Sequence, residues 1–330
     1  MCGCDPKRQC PALYVKKRIK RMDHLNLIHT CRKKDMIYET LLLLSEIVLS
    51  TYPLLIKLVN ASVTFQTGLR MMSYTILALF AGWLIGADLK PSVLFSGETA
   101  ATGFLNLVHV IASYTAFDQL AAGNAMALFY TYPVWNILGS AAVFGEKLQL
   151  GSLPWIGLAL IGAVLLAKPT TSNWTLIGIA AALVAALTET GIYLWFKSHG
   201  DSVVGDEGAS AQPFTKMAQM YGSSGVLWAI GVAVMLGLGY ISKSVFNISG
   251  AGLASILTYN SIVGFLGYAL RFYLIPQVST VTFSALSFFG VIAAYGFSWL
   301  FTGEVPTITQ GLGAAAIVIA NTVLLRKENI

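Results

Sequence analysis

The feature that most constrains this chain is the recurrence of apolar stretches about as long as a bilayer is thick. A helix rises about 1.5 Å per residue, so the roughly 30 Å hydrocarbon layer takes about 20 mostly apolar residues to cross. Ten such stretches can be drawn, approximately over 37–58, 67–87, 97–117, 120–143, 151–168, 174–196, 214–240, 251–274, 278–301 and 307–325. Polar or helix-breaking junctions such as Asp88-Leu89-Lys90-Pro91 and Gly303-Glu304-Val305-Pro306 separate them, and only the connection from Lys197 to about Pro213 is long and polar. In hydrocarbon the backbone must satisfy its own hydrogen bonds, which for stretches of this length means helix. The expected fold is therefore all-α and integral to a membrane, with ten transmembrane helices.

Composition excludes the main competitor. The 330 residues are 56% hydrophobic and 11% charged, whereas a soluble domain carries about 25% charged residues. The net charge of +6 is also misleading as a surface property. Residues 1–35 hold ten Lys/Arg against three Asp, and the remainder has eleven basic against twelve acidic residues. Residues 1–36 thus form a basic tail, suited to anionic lipid headgroups, and nucleic acid is not an expected partner. Cys2, Cys4, Cys10 and Cys31 all lie in that tail, where they neither staple the body nor show zinc spacing, so no metal and no cofactor is expected. The tail lacks the uninterrupted apolar core of a secretory signal.

Lys and Arg are retained on the cytoplasmic side of membrane proteins. With the N-terminus inside, that side holds the tail together with Lys90, Lys147, Lys197, Lys216, Arg271, Arg326 and Lys327, against Lys168 and Lys243 opposite, with Lys57 and Arg70 near the boundary of that side. Both termini are expected to be cytoplasmic. A shift of 158 residues aligns Tyr114–Gln149 with Phe272–Thr307 without a gap, placing Gly145-Glu146 on Gly303-Glu304 and matching Gln119, Ala127, Leu128 and Ser140 with Gln277, Ala285, Leu286 and Ser298. The body therefore divides into a first five-helix repeat over 37–169 and a second over 174–326. Five is odd, so the second repeat enters from the opposite side, and the pair forms an inverted-topology repeat of the kind that supports alternating access.

The pattern resembles the drug/metabolite transporter superfamily, in its ten-helix EamA-type branch. The resemblance rests on TGLRMMSYTILALF opening the second span, SYTAFDQLAAGNAMAL between the third and fourth, FGEKL closing the fourth and FTGEVPTITQGLGAAAIVIANTVLL at the end, and it covers nearly everything after residue 36. It implies secondary transport of a small polar or amphipathic metabolite, often by export, in a plasma or inner membrane. Lys57, Arg70, Gly145, Glu146, Gly303 and Glu304 are the family-motif positions, read as structural, with Lys57 and Arg70 framing the outer mouth or anchoring helix ends. Val291 stands where a proline would repeat Pro133, which counts against a mechanism that needs helix breaks in both halves.

Ionisable groups inside a span cost roughly 2.5–3.5 kcal/mol on insertion scales, so they are functional candidates by default. Glu46 lies mid-way along the first span, with Pro53 seven residues on along the same face as a helix break. Glu189 occupies the sixth span, the pseudo-symmetry partner of the first, with Tyr193 one turn later. Both carboxylates are candidates for proton or substrate binding at the repeat interface, and a simple buried hydrogen bond is the competing reading. His109 is a candidate proton relay. Tyr132, Asn136 and Ser140 form a stripe on the span broken by Pro133, and Asn260 shares a face with Gly264, Gly267 and Arg271, with Arg271 expected to snorkel to the cytoplasmic interface. Gly82, Gly139, Gly157 and Gly162 are read as close-packing positions. No clustered nucleophile, metal or phosphate-cradling motif argues for an enzyme. The expectation is a secondary carrier for an amino acid, nucleobase, organic cation or similar solute, working as an exporter, with proton coupling and homodimerisation as options. The alternative is a membrane scaffold that transports nothing.

Overall fold

The computed structural model describes residues 36–328 except 53–55, 57–58, 88, 90–95, 121, 148–149, 168–173, 199–211, 304 and 306. The basic tail and its cysteines, Pro53, Lys57 and Glu304 therefore lie outside the described residues. Everything described that has regular structure is helical. In chain order the helices are α1 (36–49), α2 (Val63–Leu84), α3 (Gly97–Gln119), α4 (Ala122–Phe129), α5 (Tyr132–Phe144), α6 (Leu153–Ala167) and α7 (Leu176–Ser198). They continue as α8 (Gln212–Gly237), α9 (Gly250–Thr258), α10 (Phe265–Leu274), α11 (Thr280–Ser287), α12 (Phe289–Thr302) and α13 (Ile308–Glu328).

Six of the continuous helical stretches are long and apolar enough to cross a membrane: α3, α7, α8, Gly250–Gln277, Thr280–Phe301 and Ile308–Lys327. Their outward faces carry large apolar side chains such as Phe104, Leu176, Leu266, Leu300 and Ile308. A surface of that kind is stable against lipid and not against water. The helices start where a side-chain oxygen meets the free N–H groups of the first turn. Ser62, Ser96, Ser249 and Ser279 cap α2, α3, α9 and α11 in this way.

The offset of 158 residues seen in the sequence reappears in the backbone. Ala122–Phe129 followed by Tyr132–Phe144 is matched by Thr280–Ser287 followed by Phe289–Thr302. Each pair ends on a glycine in the left-handed region, Gly145 at φ 65° and Gly303 at φ 74°, a conformation glycine reaches without a Cβ clash. The interruption occurs in both halves, which corrects the expectation drawn from Val291. In each half one turn tightens to i→i−3 pairing, with the N–H of Thr131 donating to Leu128 and that of Phe288 to Ala285. Pro133 sits inside the first turn of α5, where it has no intrahelical bond to break. The break therefore does not depend on proline.

Small residues set several crossings. A Cβ on Gly162 would fall 2.7 Å from the Gly313 carbonyl oxygen, so α6 and α13 pack backbone to backbone. Gly267 lies against Leu49, and Gly139 against Leu194. Gly157 differs from the expectation, because a Cβ there would meet nothing within 4 Å.

Candidate functional site

Among the described residues, four Glu and Arg side chains from four different segments lie in the interior of the bundle, each 4% exposed or less. Glu46 comes from α1, Arg70 from α2, Glu189 from α7 and Arg271 from α10, and all are buried. Arg271 is central to one group. Its Nε lies 3.1 Å from Glu46 Oε1 and its Nη2 2.8 Å from Glu189 Oε1. His109 on α3 completes this group, with Nε2 3.3 Å from Glu189 Oε2 and Nδ1 3.1 Å from the Ala185 carbonyl oxygen. Tyr132 and Ser287 donate to the two oxygens of Glu46, each at 3.4 Å. The rings of Tyr132 and Phe283 flank the guanidinium, 5.3 Å from its carbon. Burying a charge is tolerable only when it is paired and hydrogen-bonded, and here two carboxylates share one guanidinium.

The two carboxylates singled out from the sequence thus meet through an arginine assigned elsewhere. Arg271 does not snorkel outward. Side chains on a helix lean towards its N-terminus, and Arg271 is three residues from the end of α10, so leaning back carries its head into the bundle. That directional rule is the sequence signal that identifies it. Ser287, the last residue of α11, carried no such signal, because a serine in an apolar span is unremarkable until its partner is known.

Arg70 also differs from the expectation of a helix end or outer mouth. It is 2% exposed and lies among tyrosines, with its guanidinium carbon 4.8 Å from the centre of the Tyr52 ring and 4.6 Å from that of Tyr268. Tyr52 and Tyr74 share a hydroxyl hydrogen bond of 2.6 Å, and the Tyr52 hydroxyl also donates to Asn260 Oδ1 at 3.2 Å. Asn260 belongs to a π-helical segment, Tyr259–Gly264, that joins α9 to α10. Such wide turns disturb the regular ladder and concentrate at functional positions. A cavity of about 40 Å³ reaches both groups and is lined by Glu46, Tyr52, Arg70, His109, Tyr132 and Arg271, among others. That is room for roughly three water molecules, so a metabolite enters only when the surrounding helices part.

The remaining candidates fall elsewhere. Tyr193 is on the same helix as Glu189, but its hydroxyl donates to Thr280 Oγ1 at 3.0 Å, in a cluster at the end of the bundle. There Glu146 accepts from Lys197 Nζ at 2.6 Å and from Thr280 at 2.8 Å, while Lys197 also reaches Thr280. Asn136 is fully buried, and its side-chain amide finds no hydrogen-bond partner among the described residues. Ser140 accepts from Thr280 at 3.2 Å. Among the described residues no three His, Cys, Asp or Glu side chains come together as metal ligands.

The EamA-like transporter family matches residues 36–168. Over that segment, about 40% of its length, the chain is similar to the EamA-like transporter family. Over 270 residues it is 20% identical to the pseudopaline exporter CntI of Pseudomonas aeruginosa, covering 81% of this chain and 86% of that protein. An uncharacterized protein of the same organism is 26% identical over 267 residues, which is 77% of this chain and 86% of that one. A crystal structure of another protein superposes with a TM-score of 0.68 at 17% identity, covering 87% of this chain and 96% of its own, and so shares the fold. The long apolar helices make this a multi-pass integral membrane protein, and the matches make it similar to membrane transporters.

Proposed function

We propose that the chain is a secondary carrier that exports a small metabolite by alternating access, with ten membrane spans arranged as two inverted five-helix repeats and both termini in the cytoplasm. The observation that carries this reading is the convergence of Glu46 and Glu189 on Arg271. The two carboxylates come from α1 and α7, the first helices of the two halves, and they meet at the junction that must rearrange if one half moves against the other. The matched interruptions of α4/α5 and α11/α12 support the same reading, because a pair of equivalent breaks lets either side of the bundle hinge. The name of the exporter CntI favours outward movement of a small metabolite.

Charge counting supports proton coupling at this cluster. With His109 neutral, Glu46, Glu189 and Arg271 sum to −1 and Arg70, which lines the same cavity, brings the interior to zero, so a proton on His109 or on a carboxylate restores neutrality whenever the cavity gains one negative charge. A neutral cluster crosses between conformations in a low-dielectric interior at lower cost than a charged one. In this reading Glu46 and Glu189 bind the proton, His109 relays it, and Tyr132 and Asn136 sit on the moving face of α5. Glu146 and Lys197 close the cytoplasmic end, with Tyr193 packed behind them.

The test is counterflow in proteoliposomes with labelled amino acids, nucleobases, sugars, organic acids and organic cations, with and without a pH gradient. Saturable flux that responds to the gradient in the wild type and loses that response in Glu46→Gln is the expected result. Folded, correctly inserted wild-type protein that moves none of these compounds would overturn the transport reading. Flux whose pH response survives both Glu46→Gln and Glu189→Gln would place the coupling elsewhere.

A further inference from the structure

The two buried arginines are compensated very differently. Arg271 has two carboxylates within 3.1 Å, whereas Arg70 has none within ion-pair distance among the described residues. Arg70 is surrounded instead by the ring faces of Tyr52, Tyr74, Tyr114 and Tyr268, at 4.6–5.8 Å from the guanidinium carbon. Its Nη2 donates to the Tyr221 hydroxyl at the long distance of 3.5 Å, and its Nε has no hydrogen-bond acceptor among the described residues. Ring faces offset part of the cost of burying a cation, and the tyrosine hydroxyls that reach the guanidinium are neutral, so its fork is left without an anionic partner among the described residues. That fork matches the geometry of a carboxylate, to which it makes two parallel charge-assisted bonds.

We infer that Arg70 is the anchor for a carboxylate carried by the transported compound, which makes the substrate class a small monocarboxylate with an apolar or aromatic body. The inference rests on the carrier reading above and names the substrate of that same cavity. Arg70 lines the cavity, and the rest of its wall offers Phe117, Met126, Phe129 and Tyr130 to an apolar body. Glu46, Glu189, Arg70 and Arg271 sum to zero while His109 is neutral, so an incoming carboxylate brings the interior to −1, and one bound proton restores neutrality. A single free guanidinium suits one carboxylate and not a polyphosphate, which requires several cations. The ring around Arg70 is also divided between the halves. Tyr52, Tyr74 and Tyr114 come from the first and Tyr221 and Tyr268 from the second, so parting the halves opens the ring.

The experiment is a thermal-protection assay on the full chain in detergent with matched pairs of acid and amide. Phenylacetate is compared with phenylacetamide, benzoate with benzamide and phenylalanine with phenylalaninamide, with sodium chloride and inorganic phosphate as anion controls, all at millimolar concentration. The expected result is protection by at least one acid, roughly tenfold or more weaker for its amide, as for the loss of a charge-assisted bidentate contact. That protection should be lost in Arg70→Gln and partly retained in Arg70→Lys. Equal protection by acids and amides, protection by chloride or phosphate to the same degree, or no protection by any acid would overturn the inference. The wild-type comparison stands even if Arg70→Gln does not fold. Acid-specific binding without flux of the bound compound in proteoliposomes would overturn the carrier reading alone, and saturable flux of an uncharged solute without acid binding would overturn this inference alone.

Discussion

Removing Arg271 should damage the protein more than removing either carboxylate it holds. Its Nε and Nη2 lie 3.1 and 2.8 Å from Glu46 and Glu189, and all three side chains are about 5% exposed or less. In Arg271→Met the two carboxylates remain buried without their cation, the situation that costs about 3–5 kcal/mol when one partner of a buried pair is deleted. An unfolding entropy of about 2.1 cal/mol/K per residue puts this chain near 0.7 kcal/mol/K, so the melting temperature should fall by roughly 4–7 °C. Glu46→Gln behaves differently. It leaves Arg271 paired one to one with Glu189 and keeps one amide oxygen for either Tyr132 or Ser287, both of whose bonds to Glu46 are long at 3.4 Å, so the loss should stay below about 1.5 kcal/mol. The double variant strands one carboxylate instead of two and should recover about 1–2 kcal/mol of the Arg271→Met loss, within the usual range for coupled neighbours. The assay is thermal unfolding in detergent, followed by tryptophan fluorescence. The reasoning is refuted if Arg271→Met melts with the wild type, or if Glu46→Gln lowers the melting temperature as much as Arg271→Met does.

Three further outcomes follow from particular contacts. In Gly264→Ala the new methyl group would lie 2.0 Å from the Tyr74 hydroxyl, so the tyrosine ring around Arg70 must shift at a cost of about 1–3 kcal/mol; an unchanged melting curve would show that it yields freely. Pro133→Ala should leave the break before α5 in place and change stability by less than about 1 kcal/mol, because the proline occupies the first helical turn; protection of residues 129–135 from hydrogen exchange to the level of the flanking helix would contradict this. Lys197→Met removes an ion pair whose carboxylate side chain is 41% exposed, so stability should fall by no more than about 1 kcal/mol. Flux should change clearly, because this pair ties three helix ends together at the proposed cytoplasmic closure, and identical flux would remove it from the gate.

Much of the fold is legible in the sequence because lipid leaves few alternatives. Apolar stretches of bilayer length have to be helical, and the matched Gly145 and Gly303 mark helix ends because only glycine enters the left-handed region freely. The six long helices lie where hydropathy places them. Breaks inside the spans are less legible. Proline signals one of them, but the equivalent turn before Phe289 forms without it, through backbone geometry that several residue types can adopt.

For the candidate site, the sequence by itself determined which groups are unusual. Glu46, Glu189 and His109 stand out because ionisable side chains are costly in hydrocarbon, and the structure brings all three into one cluster. Tertiary structure alone decided what each of them faces. Hydropathy reports depth along a helix but not rotation about it or partners across it, so Arg271 passed as an interfacial anchor and Tyr193 as a companion of Glu189. The packing of α10 against α1 and α7 turned the arginine into the link between the halves, and the crossing of α2 with its tyrosine-bearing neighbours left Arg70 buried without a carboxylate. Those assignments depend on distances of a few ångströms between residues up to 241 positions apart, and a one-dimensional pattern holds no record of them.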